Sequence, residues 1–250
     1  MLKYLIIIIL ILYSSLSAAY YGEIASLEHD TGYGTYPSLV QVDSDTYALA
    51  YTGDQSDGFI ATFTISADGS TITEVASLEH DTDKNLFNSL VQIDSDTYAL
   101  ASQGPGYDGF ITTFTISADG STITEVASLE HEIILSSYNS LVQVDSDTYA
   151  LAYSGDGDDG FITTFTISAD GSTISEVATL EHDTNYSTYN SLVQVDSDTY
   201  ALAYRGTASD GFITTFTISA DGASISEVAT LEHDTNYSTY NSLVQVDSDT

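Results

Sequence analysis

The chain has 250 residues, 42% of them apolar and 11% aromatic, enough to bury a core and too aromatic for a disordered segment. Lys3, Lys84 and Arg205 are its only basic residues against 37 Asp and Glu, a formal charge of −34, which excludes nucleic acid and anionic membrane surfaces as partners because phosphate binding needs Lys and Arg to release counterions. With no cysteine, disulfides and thiolate metal centres are excluded too, and stability has to come from burial.

The first residues read as an export leader. Lys3 supplies the positive start, Leu5 to Leu12 is unbroken apolar chain, and Ser14 to Ala19 is small and polar, so cleavage after Ala19 is expected to leave a mature chain beginning at Tyr20. The apolar run is far short of the ~20 residues a membrane span requires. The protein is therefore expected to be secreted, extracellular or at the cell surface, with no transmembrane span once the leader is removed.

From residue 20 onward the dominant signal is self-similarity. Glu23, Glu74, Glu125, Glu176 and Glu227 open equivalent segments, each 51 residues after the last, a period of the size that propellers, solenoids and arrays use. Within a unit, Ser38 to Val42 (strand A) and Thr46 to Tyr51 (strand B) are joined by Asp43-Ser44-Asp45, residues that favour tight turns. Phe59 to Ser66 (strand C) alternates apolar and polar positions, and Ala67-Asp68-Gly69-Ser70 turns it into Thr71 to His80 (strand D). Asp-Gly between two such runs is a strong hairpin signal.

Four strands per repeat and no helical period predict an all-β fold, a β-propeller of four-stranded antiparallel blades. A cysteine-free unit of this size buries too little surface to be secure alone. The expected boundaries are a leader over 1–19, repeats over 20–250, a lone D strand over 23–30, and blades at about 35–81, 86–132, 137–183 and 188–234. A partial blade covers 240–250. In this scheme the ring is incomplete: the sequence is a fragment of a longer product, or closes imperfectly.

The units resemble known propeller repeats. Phe63 to Val75, Phe-Thr-Ile-Ser-Ala-Asp-Gly-Ser-Thr-Ile-Thr-Glu-Val, is similar to the C–D hairpin of lactonase-type propellers. His80 in Leu-Glu-His and Asp108 in Asp-Gly sit where WD-repeat blades pair a His with an Asp, although the Trp of that family is missing. The resemblance implies the propeller architecture, and no catalytic residue of either family carries over.

Variation inside the chain concentrates in two loops. The B–C loops read Thr-Gly-Asp-Gln-Ser at 52–56, Gln-Gly-Pro-Gly-Tyr at 103–107, Ser-Gly-Asp-Gly-Asp at 154–158 and Arg-Gly-Thr-Ala-Ser at 205–209, and the D–A loops vary as well. Strand alternation puts both on one face of the disc, the expected place for recognition on a rigid scaffold; neutral drift is the competing account. Tyr107 and Arg205 are candidate contacts there. Ile133, Ile134 and Leu135 make one D–A loop apolar, either as a contact patch for a partner or folded onto the neighbouring blade.

Just before strand A an aromatic recurs, as Tyr36, Phe87, Tyr138, Tyr189 and Tyr240. A ring of these at the channel mouth would stack on sugars or aromatic ligands; packing between blades is the alternative. The five histidines share one repeat position, which radiating blades hold apart, so hydrogen bonding within the blade is expected of them rather than zinc ligation.

No cofactor is expected. The Asp43/Asp45 pairs and the acidic run Asp156 to Asp159 keep calcium as an alternative, although it wants six to eight oxygens. Asn185-Tyr186-Ser187 and Asn236-Tyr237-Ser238 match the glycosylation acceptor pattern. Near-identical units offer no convergent set of unlike groups for catalysis, and residues 176–199 and 227–250 are identical, a sign of recent duplication. The chain is therefore expected to be no enzyme but a module binding an extracellular protein or glycan through the B–C and D–A face. The alternatives are a purely structural acidic repeat protein and, behind it, a lactonase-like hydrolase.

Overall fold

The computed structural model describes residues 22–246; the export leader expected over 1–19 lies outside the described residues. Among the described residues, sixteen strands form four four-stranded antiparallel sheets, each built from consecutive strands. Blade 1 comprises β1 (Thr35–Gln41), β2 (Thr46–Thr52), β3 (Gly58–Ile65) and β4 (Ile72–Asp81). Blade 2 comprises β5 (Leu86–Gln92), β6 (Thr97–Gln103), β7 (Gly109–Ile116) and β8 (Ile123–Glu132). Blade 3 comprises β9 (Ser137–Gln143), β10 (Thr148–Ser154), β11 (Gly160–Ile167) and β12 (Ile174–Asp183). Blade 4 comprises β13 (Thr188–Asp196), β14 (Thr199–Arg205), β15 (Gly211–Ile218) and β16 (Ile225–Asp234).

The period-2 alternation of a strand gives each blade two unlike faces. In blade 1, Val42, Ala48, Ala50 and Ile60 line a small-residue face, and against it lie Leu90, Tyr98, Leu100, Phe114 and Ile116 of blade 2. The same mating of small face to large face recurs between blades 2 and 3 and between blades 3 and 4. Tyr98, Tyr149, Tyr200, Phe114, Phe165 and Phe216 are fully buried in these seams. Burying such a side chain stabilises by roughly 1.5–3 kcal/mol, so the core of this protein sits between blades rather than within them.

Hydrogen bonds fix the spacing of the blades at one rim and near the axis. On the A–B/C–D rim, the Oγ1 of Thr62, Thr113 and Thr164 donates to the carbonyl of Gly120, Gly171 and Gly222 in the next blade's C–D turn, at 2.7–2.8 Å. Gly120 is required twice over, because its φ is +70° and a Cβ there would stand 3.0 Å from Thr46 and Thr62 of the neighbouring blade. Near the axis, Ser38, Ser89 and Ser140 accept from the N–H of Leu90, Leu141 and Leu192 at 2.9 Å.

Each C–D turn is closed by its aspartate: Asp119 Oδ1 accepts from Ser117 Oγ, Ser121 N and Ser121 Oγ at 2.7–3.0 Å. These bonds favour the charged form, led by the one from Ser117, and hold the carboxyl down at about 2.

Two expectations are corrected. Residues 23–30, expected as a lone D strand, pair with no strand and form no regular element. They make a side-chain contact instead, with the His29 ring edge-on to Tyr51 at 4.7 Å and to Phe63 at 5.7 Å. Residues 240–246 likewise carry no ladder, although Leu243 N donates to Ser191 Oγ at 2.9 Å just as its counterparts do.

The histidines also depart from expectation. His131 and His182 have both ring nitrogens buried without a hydrogen-bond partner, and His80 has a buried, unpartnered Nε2. They pack edge-on against aromatic rings of the next blade, His131 against Tyr153 at 5.2 Å and Phe165 at 5.4 Å. Burial penalises the charged form and brings His80, His131 and His182 down to about 4, so each is neutral at pH 7. The glycine of each Asp-Gly pair makes room for the ring: a Cβ on Gly109 would stand 2.6 Å from His131 Nε2.

Candidate functional site

The innermost strand of each blade carries a bulge at its start. Thr35 pairs with Thr52 and Ser38 with Ala50, so Tyr36 and Pro37 together oppose Tyr51. The same shift precedes Ser89, Ser140 and Ser191. A bulge re-aims a side chain, and here it does so through a left-handed residue. Tyr36, Phe87, Tyr138, Tyr189 and Tyr240 have φ between 50° and 56°, a conformation that costs a non-glycine residue roughly 1–2 kcal/mol.

The bulges bring the five rings together. Successive ring centroids stand 4.4, 4.6, 4.6 and 4.8 Å apart, with the planes tilted by 48–55°. All five line one pocket of about 260 Å³ with Asn139, Asn190 and Asn241, which makes the series an arc about a shared axis. Burial raises the Tyr36 hydroxyl pKa, with smaller contributions from Tyr33, Tyr189 and Tyr240, although Tyr36 and Tyr240 are several blades apart in sequence. Burial likewise raises Tyr138, helped by Tyr189. The rings touch one another across blades and line an open pocket as well, so packing and exposure coexist. Tyr36 is 41% exposed and Tyr240 82%.

The asparagine that follows the aromatic was not legible as a site residue, and the structure supplies the reason for its place. Ser136, Ser187 and Ser238 of the D–A loops donate their Oγ to the Oδ1 of Asn139, Asn190 and Asn241 at 2.8–2.9 Å. The amide ends are thereby aimed, and Nδ2 of Asn139 and Asn190 is buried with no partner.

The remaining candidates share the rim but lie outside this pocket. Each B–C loop contains one tight turn, over Asp54–Ser56, Pro105–Tyr107, Asp156–Asp158 and Thr207–Ser209. It is closed by the same hydrogen bond from glycine N–H to aspartate carbonyl at 2.8–2.9 Å in all four blades, so variable side chains ride on a constant backbone. Tyr107 is 58% exposed, and Lys84 Nζ sits 3.3 Å from its ring centroid. Arg205 reaches over Tyr237 at 4.7 Å and Tyr186 at 5.3 Å and donates to Ser209 Oγ at 2.5 Å; its surroundings form a second pocket of about 470 Å³ with Asn185 and Thr207.

Ile133 and Ile134 stand exposed, at 73% and 53%, held by Glu132 Oε1 accepting both their N–H groups, while Leu135 is half-buried. In the two glycosylation-type triplets, Asn185 and Asn236 are exposed and Ser187 and Ser238 buried. Among the described residues no group of three or more His, Asp or Glu is placed to hold a metal ion, and no helix is long and apolar enough to cross a membrane.

No family model matches the chain and no curated protein matches it in sequence. Solved structures match it in shape. A protein from Lactobacillus plantarum is similar at a TM-score of 0.59 and 15% identity, over 82% of this chain and 57% of that one. Sqt1 from Saccharomyces cerevisiae is similar at 0.52 and 8% identity, over 81% of this chain and 48% of that one. An alpha-L-arabinofuranosidase from Lactobacillus brevis scores 0.49 at 11% identity, over 78% and 72%. The chain thus spans about half the length of the first two. At such identities the likeness to the first two concerns fold alone, and with the four sheets it bears out the propeller resemblance read from the repeats: the chain has a β-propeller-type fold of four-stranded blades.

Proposed function

We propose that the chain is a secreted or cell-surface binding module, and that its B–C/D–A face takes a neutral glycan against the aromatic arc. The observation that carries the reading is the arc itself, with ring centroids at 4.4–4.8 Å around one pocket. Aromatic faces stack on the apolar faces of sugars, and ligand pockets combine such surfaces with a few aimed polar groups. Asn139, Asn190 and Asn241 line the same pocket and supply the kind of polar side chain that bonds sugar hydroxyls. The pocket lining is aromatic and amide, with no carboxylate or histidine among its residues, a composition suited to holding a ligand rather than to moving protons. A formal charge of −34 disfavours anionic ligands over neutral ones.

Exposed Ile133 and Ile134 favour a second reading, in which the same rim docks a protein. Titration against a panel of neutral oligosaccharides separates the two. Under the glycan reading, Tyr138→Ala and Tyr189→Ala each weaken binding about tenfold, while an Ile133→Ser, Ile134→Ser double variant binds as well as the parent. Loss of binding only in the double variant would place the oligosaccharide at Ile133 and Ile134 and overturn the assignment of the arc. If no oligosaccharide in the panel binds, the arc is a packing device of a structural repeat protein and the glycan reading fails.

A further inference from the structure

One position of the repeat breaks its pattern. Tyr51, Tyr153 and Tyr204 occupy it in blades 1, 3 and 4, and blade 2 has Ser102. Where the tyrosine is present, its ring fills the seam in a fixed way. Tyr153 stacks on the cross-strand Phe161 at 5.5 Å and 22°, meets the edge of His131 at 5.2 Å, and accepts at its hydroxyl from Thr163 Oγ1 at 3.4 Å. Tyr204 repeats the stack on Phe212 at 5.6 Å and 22° and the contact with His182 at 5.2 Å.

At Ser102 the ring is gone, while the histidine, phenylalanine and threonine that surround it elsewhere are kept. A cavity of about 230 Å³ lies between blades 1 and 2, lined by His80, Ser102, Phe110, Thr112, Glu125 and Ser128; about 150 Å³ suffices to hold benzene in a protein interior. Phe110 offers the stacking face, paired across the ladder with Ser102 as Phe161 is with Tyr153. His80 offers its edge, still anchored on Phe114 at 5.2 Å, with Nε2 buried and unpartnered. Thr112 Oγ1 and Ser128 Oγ, 2.9 Å apart, stand where Thr163 and Thr179 stand in the filled seam.

We infer that this seam is a binding site for a para-hydroxyphenyl group, the ring sandwiched between Phe110 and His80 and the hydroxyl directed to Thr112 and Ser128. The vacancy has the outline of the side chain that the other blades place there, so a phenol restores contacts that the fold already makes elsewhere. Glu125 and Asp81 also line the site, at the repeat positions of Glu176 and Glu132 beside Tyr153. Burial raises the Glu125 carboxyl, and Asp81 adds to it. A neutral phenol hydroxyl can donate into this acidic end, whereas a ring bearing its own carboxylate meets like charge. The ligand is therefore an uncharged phenol, free or borne as the tyrosine of a partner.

The test is calorimetric titration of the full chain with 4-methylphenol. One equivalent is expected to bind. Ser102→Tyr, which fills the seam, is expected to weaken binding at least tenfold, and toluene and 4-hydroxybenzoate are expected to bind at least tenfold more weakly than 4-methylphenol. Tyr153→Ser is expected to open a second vacancy and raise the stoichiometry to two equivalents. Should that variant unfold, the His80 imidazole resonances in the parent chain give an independent reading, because the bound ring must shift them. No binding by the parent, unchanged binding in Ser102→Tyr, or equal affinity for toluene would overturn the assignment. A tyrosine-containing neutral peptide that binds as 4-methylphenol does would identify the source as a partner chain, and one that fails where the free phenol succeeds would identify a small molecule; either result supports the site.

Discussion

The seam between blades 2 and 3 and the seam between blades 1 and 2 are built from the same repeat, yet one is filled and the other is hollow. In the first, Tyr153 closes the space between His131 and Phe161; in the second, Ser102 leaves it open beside His80 and Phe110. The ties around the two are alike. Thr62 to Gly120 and Thr113 to Gly171 both measure 2.7 Å, and Leu90 to Ser38 and Leu141 to Ser89 both measure 2.9 Å. The side chain of the second strand's end bonds to the following D–A loop in each, Thr52 to the Asn85 carbonyl and Gln103 to that of Ser136. Blade spacing is thus set at the rims by hydrogen bonds, and what fills the middle is free to change. A repeat scaffold of this kind acquires a site by deleting a side chain from one copy.

The largest effect should come from copying the hollow seam into the filled one. Tyr153 is 3% exposed and belongs to the core cluster between blades 2 and 3, and truncating a buried aromatic costs about 3–5 kcal/mol when the surroundings cannot collapse. Tyr153→Ser is expected to lose that much stability in urea unfolding. A loss below about 1 kcal/mol would mean that the blades close up when the ring is removed, and that the rim ties do not hold a seam open.

The next effect is pH dependence, and it comes from the histidines that line these two seams and the one between blades 3 and 4. Burial holds His80, His131 and His182 at about 4 when folded, against about 6.5 in an unfolded chain. The folded value is depressed, so below pH 6.5 the unfolded state takes up protons that the folded state refuses. Stability is complete above pH 6.5 and falls as pH drops toward 4, by at most about 3 kcal/mol for each histidine. Urea unfolding at pH 7 and pH 4.5 measures the loss, and the imidazoles of His80, His131 and His182 should stay mostly neutral in the native protein between those values. Titration of any of these three near 6.5 in the native protein would break the account. The turn aspartates act in a separate, lower window: Asp68, Asp119 and Asp170 are held at about 2 by hydrogen bonds from the turn, so their contribution goes only as pH falls from about 4 toward 2.

The two seams also show what could be read from the amino acids. The 51-residue period, the Asp-Ser-Asp and Ala-Asp-Gly turns and the alternation of Phe59 to Ser66 carried the four-stranded blade, because hairpins are local and the period repeats the evidence. The aromatic before strand A was visible for the same reason, although its bulge and its left-handed backbone were not: a bulge depends on cross-strand register, which Tyr36-Pro37 does not announce. The histidines were misjudged because a conserved spacing within the chain says that a group is used and not how; His131 is buried against Tyr153 and Phe165, partners 22 and 34 residues on. Ser102 was readable as the odd residue among Tyr51, Tyr153 and Tyr204. That it faces His80 across a seam requires knowing which face of β6 meets which end of β4.

The smallest expected effect is the one that separates the rim ties from the filling. Thr62 is fully buried, its Oγ1 donates to the Gly120 carbonyl at 2.7 Å and it accepts from Ala76 N at 3.2 Å. Thr62→Val keeps the shape and removes the tie, leaving a carbonyl and an N–H short of a partner at a cost of about 1–2 kcal/mol. Thr113→Val does the same at the filled seam and should cost as much, since the two latches are equal in length. Their consequences differ, however. With Tyr153 in place the filled seam keeps its width at that end, whereas the hollow seam lacks a ring there and depends more on its ties, so Thr62→Val should weaken 4-methylphenol binding several-fold while Thr113→Val leaves it unchanged. Equal effects of the two variants on binding would show that the cavity is held open by the blade as a whole and not by its rims.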